Sequence, residues 1–200
     1  MDSKEKLISD DLLKPDNMIR LYASGAFPMA DNESGHINWY MPEIRCIIPI
    51  DKFNIPKSAK KLIEKNNFEI RFDTDYLGVI RGCADREETW ISGKLIDAYK
   101  RLYKRGLVHT VETWHGNNLV GGLYGVTFRG AFFGESMFSK ESEASKAALI
   151  KLVDRLIAKD FVLLDVQYMT EHLKMFGAVE ISWDEYQDKL RESYLRNCEF

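Results

Sequence analysis

GGLYGVTFRGAFFGESMFSKESEASKAALIKLVDRLIAKDFVLLDVQ, residues 121–167, decides how this chain folds. It runs from a glycine pair through an apolar and aromatic segment holding Glu135, then an amphipathic segment, then an apolar run that carries Asp165 and Gln167. Leu149, Leu152, Val153, Leu156 and Ile157 recur at helical spacing, so 143–158 is expected to be a helix packed across a sheet, with Ser142 as its cap. The segments 128–138 and 161–167 are expected to be strands. Strand, helix, strand is the order of a crossover unit, and the carboxy-terminal half reads as a mixed sheet with helices. Along 161–167 side chains alternate, which puts Asp165 and Gln167 on one face and Leu164 and Val166 on the other. A carboxylate and an amide buried beside Leu163 need partners. Two readings follow: a chemical site, or a strand end at which Asp165 caps the next turn.

Composition narrows the class. Two hundred residues suit one domain, or one with a small appendage, and 45% hydrophobic with 30% charged residues fits a soluble globular chain. No apolar run approaches a membrane span, and the charged start MDSKEKLISDD lacks a signal-peptide core, so a cytoplasmic protein without membrane contact is expected. Cys46, Cys83 and Cys198 are odd in number and far apart, and the four histidines form no ligand spacing; neither a disulfide framework nor a metal is expected. A net charge of −3 does not announce a nucleic-acid binder, so any such contact needs a local patch.

Towards the amino terminus, Asp16 is a candidate cap for a helix that Gly25 stops, residues 26–29 turn the chain, and 31–36 form a polar loop. A strand is expected over 45–50. The segment 52–65 reads as a helix with Pro56 at its first position, Ala59, Leu62 and Ile63 on an apolar stripe, and Lys57, Lys60, Lys61 and Lys65 mostly opposite. Those lysines are either a solvated face or a phosphate-binding patch. Residues 68–72 read as a strand, Asp73 or Thr74 starts a helix to about residue 82, 92–105 reads as a helix, and 109–114 with 118–126 as a hairpin turning at His115-Gly116-Asn117. Trp90 is either a core anchor or a platform on which a base stacks, and Tyr99 is by default a core tyrosine. Helices are expected to cover the sheet over 170–176 and 183–195.

Several blocks, in order and at matching distances, resemble the bacterial leucyl/phenylalanyl-tRNA–protein transferases: Gly121-Gly-Leu-Tyr-Gly125, Phe133-Gly-Glu-Ser-Met-Phe138, Ala144-Ser-Lys146, Leu164-Asp-Val-Gln167, and His172 with Gly177-Ala178. Earlier, the helix before Gly25-Ala-Phe-Pro28, the tryptophan at 39, Pro42 with Arg45, and Asp85-Arg-Glu-Glu-Thr-Trp-Ile91 fit as well. The resemblance implies an α+β architecture: a small amino-terminal α/β domain, then an acetyltransferase-like (GNAT) mixed sheet with flanking helices. The division falls at 1–44 and 45–200, or with the small domain extended to about 66. It implies transfer of Leu or Phe, with Met a further donor, from aminoacyl-tRNA to proteins that begin with Arg or Lys, marking them for degradation. No cofactor is expected, and a monomer is. Asp165 and Gln167 match the family's catalytic pair, with Gln167 orienting the attacking amine, Asp165 fixing its amide, and Glu135 holding the acceptor's cation; Glu112 is a weaker candidate of that type. Leu123, Phe132, Met137, Leu152 and Leu164 match the amino-acid pocket, although each alone would pass as core. Trp90, Tyr99 and the four lysines match the tRNA-binding positions.

The sequence departs from the family pattern at Met29, where Trp is common, at Asp160, where Gly is usual, and at Val166, Met175-Phe176 and Trp183. Two other classes fit parts of the pattern. An acyl-CoA N-acetyltransferase would need a glycine-rich turn at a helix start, and Ser139-Lys-Glu-Ser-Glu143 has none. A non-catalytic adaptor for tRNA or amino termini would not need Asp165, Gln167 and Glu135 together.

Overall fold

The computed structural model describes residues 10–31 and 34–200. The first nine residues of the charged start, and part of the polar loop expected at 31–36, lie outside the described residues, as do the side chains of Leu62 and Ile63.

Helix α1 (Pro15–Ala23) begins with a proline in its first turn, not at an Asp16 cap, and ends at Gly25, whose φ is +89°. A Cβ at Gly25 would lie 2.8 Å from the Trp183 ring, so conformation and space both require glycine there. The expected turn at 26–29 is instead a strand: β1 (Phe27–Ala30) pairs with β2 (Ile37–Tyr40) as a separate hairpin. Next come β3 (Ile44–Ile48), α2 (Lys57–Asn66, preceded by Pro56 at the N-cap), β4 (Glu69–Phe72) and α3 (Tyr76–Ala84, capped by Asp75). They are followed by α4 (Gly93–Tyr103, capped by Ser92), β5 (Val108–His115), β6 (Asn118–Phe128) and β7 (Ala131–Ser139). The chain continues through α5 (Ala144–Ala158), β8 (Leu163–Gln167), α6 (Glu171–Lys174, capped by Thr170), β9 (Val179–Ser182) and α7 (Trp183–Tyr194).

The large sheet has the order β4-β5-β6-β7-β8-β3-β9. Only β7 and β8, joined through α5, run parallel among its pairs, so the crossover expected from 121–167 is present in a mixed sheet. Strand β9, which the sequence did not reveal, seals the edge beside β3. Helix α5 starts with Glu143, not Ser142, at its N-cap position, at φ +71°.

Two apolar layers cover the sheet. Residues of α1, β1, α3, α4 and α7 pack on one face, whereas α5, Phe161 and Phe176 pack on the other. Adjacent side chains divide between them as strand alternation requires: Tyr124 and Phe133 join the first layer, Leu123 and Phe132 the second. Gly121 lets α5 approach, since a Cβ there would meet the Ala144 Cβ at 2.6 Å. No helix of the described residues is long and apolar enough to cross a membrane.

Candidate active site

The parallel pair β7–β8 is in register only from Ala131↔Leu163 to Phe133↔Asp165. Beyond that point each strand bulges. On β7, Tyr124 pairs with Ser136 and Gly125 with Gly134, leaving Glu135 as the extra residue. On β8, Ile47 pairs with Asp165 and Cys46 with Gln167, leaving Val166 extra. A bulge re-aims side chains and splays its strand. Here two bulges on adjacent strands open a cavity of about 420 Å³.

The β8 bulge corrects the expected face-sharing. Ile47 and Cys46 point to opposite layers, so their partners Asp165 and Gln167 do too, and Gln167 takes a φ of +60° as the strand ends. Gln167 reaches the cavity with Leu164 and Val166; Asp165 lies behind it, fully buried.

Asp165 is nevertheless fully partnered. Arg45, also fully buried, donates to it through Nε at 2.9 Å and Nη2 at 2.6 Å, Tyr186 Oη donates at 2.8 Å, and the Gln167 backbone N–H donates at 2.9 Å. The guanidinium lies 4.4 Å from the Phe27 ring centroid and 4.8 Å from that of Tyr186. Burying a charged pair is compensated only by this kind of fork geometry with satisfied oxygens. Asp165 therefore holds the backbone of Gln167, where the expectation had it fix the side-chain amide. Both earlier readings of Asp165 contain part of the observed role: it secures a strand end, and that strand end belongs to the cavity wall.

Glu135 lines the cavity from the bulge and is almost wholly buried. Tyr22 Oη, from α1, lies 2.8 Å from its Oε1; Tyr99 Oη, from α4, lies 2.8 Å from its Oε2; the two hydroxyls lie 2.9 Å apart. Each hydroxyl donates to one oxygen of the carboxyl. Burial pushes the Glu135 pKa up to about 7, against the lowering effect of Tyr99 and Tyr22. Gln167 Nε2 is 3.5 Å from Glu135 Oε1, a long contact that places the two side chains together.

Four of the five expected pocket residues line the cavity: Leu123, Met137, Leu152 and Leu164. Phe132 does not; it is fully buried and packs 5.6 Å from the Phe200 ring centroid, as core. Trp90 forms part of the wall, as do Phe27, Pro28 and Met29 of β1. Tyr99 is sealed beneath Glu135 and offers no surface to tRNA. Lys57, Lys60, Lys61 and Lys65 are exposed on α2, away from the cavity lining. Glu112 is buried elsewhere, accepting from Thr74 N at 3.1 Å and Asp75 N at 3.3 Å at the start of α3.

Sequence reasoning missed Tyr22, Arg86, Tyr186 and the partnering role of Arg45. Arg45 alone carried a signal, an ionic residue inside an otherwise apolar strand. His172 also lines the cavity; burial and then Lys146 hold its imidazole below the ordinary range, hence neutral at pH 7, and its Nε2 has no hydrogen-bond partner among the described residues. No group of three His, Cys, Asp or Glu among the described residues is placed to hold a metal ion.

A buried carboxyl near neutrality, an oriented amide and an apolar cavity can together take up an apolar group and position an amine against it. A family model described as leucyl/phenylalanyl-tRNA protein transferase matches residues 47–191, and one described as the N-terminal domain of that transferase matches residues 11–43. A leucyl/phenylalanyl-tRNA–protein transferase of Salinibacter ruber is 46% identical over 180 residues, which cover 90% of this chain and 80% of that protein.

Proposed function

Because this chain belongs to the leucyl/phenylalanyl-tRNA protein transferase family, whose members are aminoacyltransferases, we propose that it moves leucyl or phenylalanyl groups, and methionyl groups as well, from tRNA to the α-amino group of proteins beginning with Arg or Lys. In the cell the reaction is cytoplasmic and marks its products for degradation. The mixed sheet, with its splayed parallel pair, is here the acetyltransferase-like scaffold.

The observation that carries this function is the about 420 Å³ cavity with Glu135 and Gln167 at one side and Leu123, Met137, Leu152 and Leu164 below. An apolar amino-acid side chain fits that floor, where the adaptable Met137 accommodates both the branched and the flat form. The aminoacyl ester is already reactive towards amines, so positioning supplies much of the rate. Gln167 accepts a hydrogen bond from the attacking amine through its carbonyl oxygen, on a backbone that Asp165 and Arg45 hold still. Glu135, when ionised, faces the cationic acceptor. The new C–N bond forms as the ester C–O bond breaks, and the amine's proton ends on the ribose oxygen that leaves. Trp90 receives the terminal adenine by stacking, and the α2 lysines meet phosphates of the acceptor stem.

A matrix of charged tRNAs against peptides differing only in the first residue tests the assignment. Label is expected to pass from leucyl- and phenylalanyl-tRNA to peptides starting with Arg or Lys. Transfer to none of them, with tRNA still bound, would make the protein an adaptor.

A further inference from the structure

Among the described residues, Arg86 is the one permanently cationic side chain in the wall of the cavity described above. Its position is fixed: Nη2 donates to the Met137 carbonyl at 2.7 Å and to Ser136 Oγ at 3.0 Å, both on β7 beside Glu135. Those two bonds use one nitrogen of the guanidinium. Among the described residues no carboxylate lies within 4.0 Å of it, although Asp85, Glu87 and Glu88 flank it in sequence. Trp90, four residues on in the same connection between α3 and α4, shares the cavity wall. A guanidinium pinned at one end, whose remaining N–H groups meet no partner or counter-charge among the described residues, is built for a planar or tetrahedral oxyanion.

Resting on the transferase reading, the geometry points to Arg86 as the residue that binds the phosphate on the 5′ side of the terminal adenosine of the donor tRNA. A nucleoside stacked on Trp90, with its acylated ribose turned towards Glu135 and Gln167, carries one negative group close to its ribose: that phosphate. Arg86 and Trp90 then clamp the same nucleotide by its charge and its ring, and the clamp sets the ester carbonyl's distance from Gln167. Such a contact reads no base; it fixes register.

Two minimal donors separate this role from a merely structural one: adenosine acylated on its ribose with leucine, and the same compound bearing a 5′-phosphate. The wild-type protein is expected to favour the phosphorylated donor by roughly tenfold or more in kcat/KM, the size of one charge-assisted contact. Arg86→Gln is expected to abolish the preference, Arg86→Lys to keep part of it, and Ser136→Ala, which leaves the charge in place, to keep most of it. Inhibition of leucyl-tRNA use by adenosine 5′-monophosphate against adenosine gives the same comparison as binding. Equal use of the two donors by the wild type, or an unchanged ratio in Arg86→Gln, overturns the assignment while leaving the transferase function intact. Failure of transfer from leucyl-tRNA itself would overturn that function instead.

Discussion

At the scale of single residues, Glu135 has the most to report. Its folded-state pKa of about 7 stands above the ordinary 4.5, so folding takes up a proton on this carboxyl between those values. Stability consequently falls as pH rises through that window, because ionising Glu135 inside the protein costs more than ionising it in the unfolded chain. Glu135→Gln keeps the acceptor oxygen for the tyrosines and removes the titration. Its unfolding free energy relative to wild type is expected to rise by roughly 2 kcal/mol between pH 5 and pH 8. Denaturant titrations of both proteins at the two pH values measure this, and parallel behaviour would mean that Glu135 titrates normally. Under the proposed function, the same substitution removes the charge assigned to the acceptor's cation, so discrimination in favour of Arg and Lys at the first position is expected to weaken.

At the scale of elements, α2 makes the clearest commitment. Lys57, Lys60, Lys61 and Lys65 are exposed on a helix none of whose described residues lines the cavity, as a phosphate-binding face or a merely solvated one would be. Replacing Lys57 and Lys61 by Ala is expected to weaken tRNA binding at low salt and to reduce the slope of log K against log salt by one to two. A fluorescence binding series across salt concentrations reads that slope; an unchanged value would return the helix to solvent. Elements also divide what was legible in the sequence from what was not. Helical periodicity sufficed for α4 and α5, although it missed the cap position of α5; the Gly116 turn sufficed for the β5–β6 hairpin, and segment order for the crossover. The four-residue strands β1 and β9 are too short for alternation to register. The bulges at Glu135 and Val166 are the instructive failure: one extra residue reverses every face assignment beyond it, and nothing in Leu164-Asp-Val-Gln167 marks where it enters. Residue types thus pointed to the cavity wall, while the faces on which they stand required backbone geometry. Asp160 shows the converse case, a departure from the family's glycine that still adopts φ +59° after α5, the left-handed conformation that follows many helices.

At the scale of the whole molecule, the division at residue 44 expected from sequence meets a shared interior. Leu13, Met18, Tyr22 and Phe27 lie in one apolar cluster with Val79, Leu95, Tyr99, Phe133 and Tyr186. Polar contacts cross at the same place, since Tyr22 donates to Glu135, and Phe27 stacks on the guanidinium that secures Asp165. Two units that share a core and a charged network cannot expose one surface without exposing the other. Unfolding is therefore expected in a single transition, with fluorescence of Trp39, in the amino-terminal hairpin, and far-ultraviolet circular dichroism giving the same midpoint. Trp90, Trp114 and Trp183 are replaced by Phe so that Trp39 reports alone, and a parallel series on the unmodified chain checks that the replacements leave the circular dichroism midpoint ordered as before. Tyr22→Ala is then expected to shift both probes together, by roughly 3–5 kcal/mol, because it opens a cavity in the common cluster as well as removing a partner of Glu135. Tyr22→Phe removes only the hydroxyl, and about 1–2 kcal/mol is expected for it. A Trp39 midpoint that moves alone would mean that the amino-terminal elements fold on their own account, and that the site is assembled between two separable bodies.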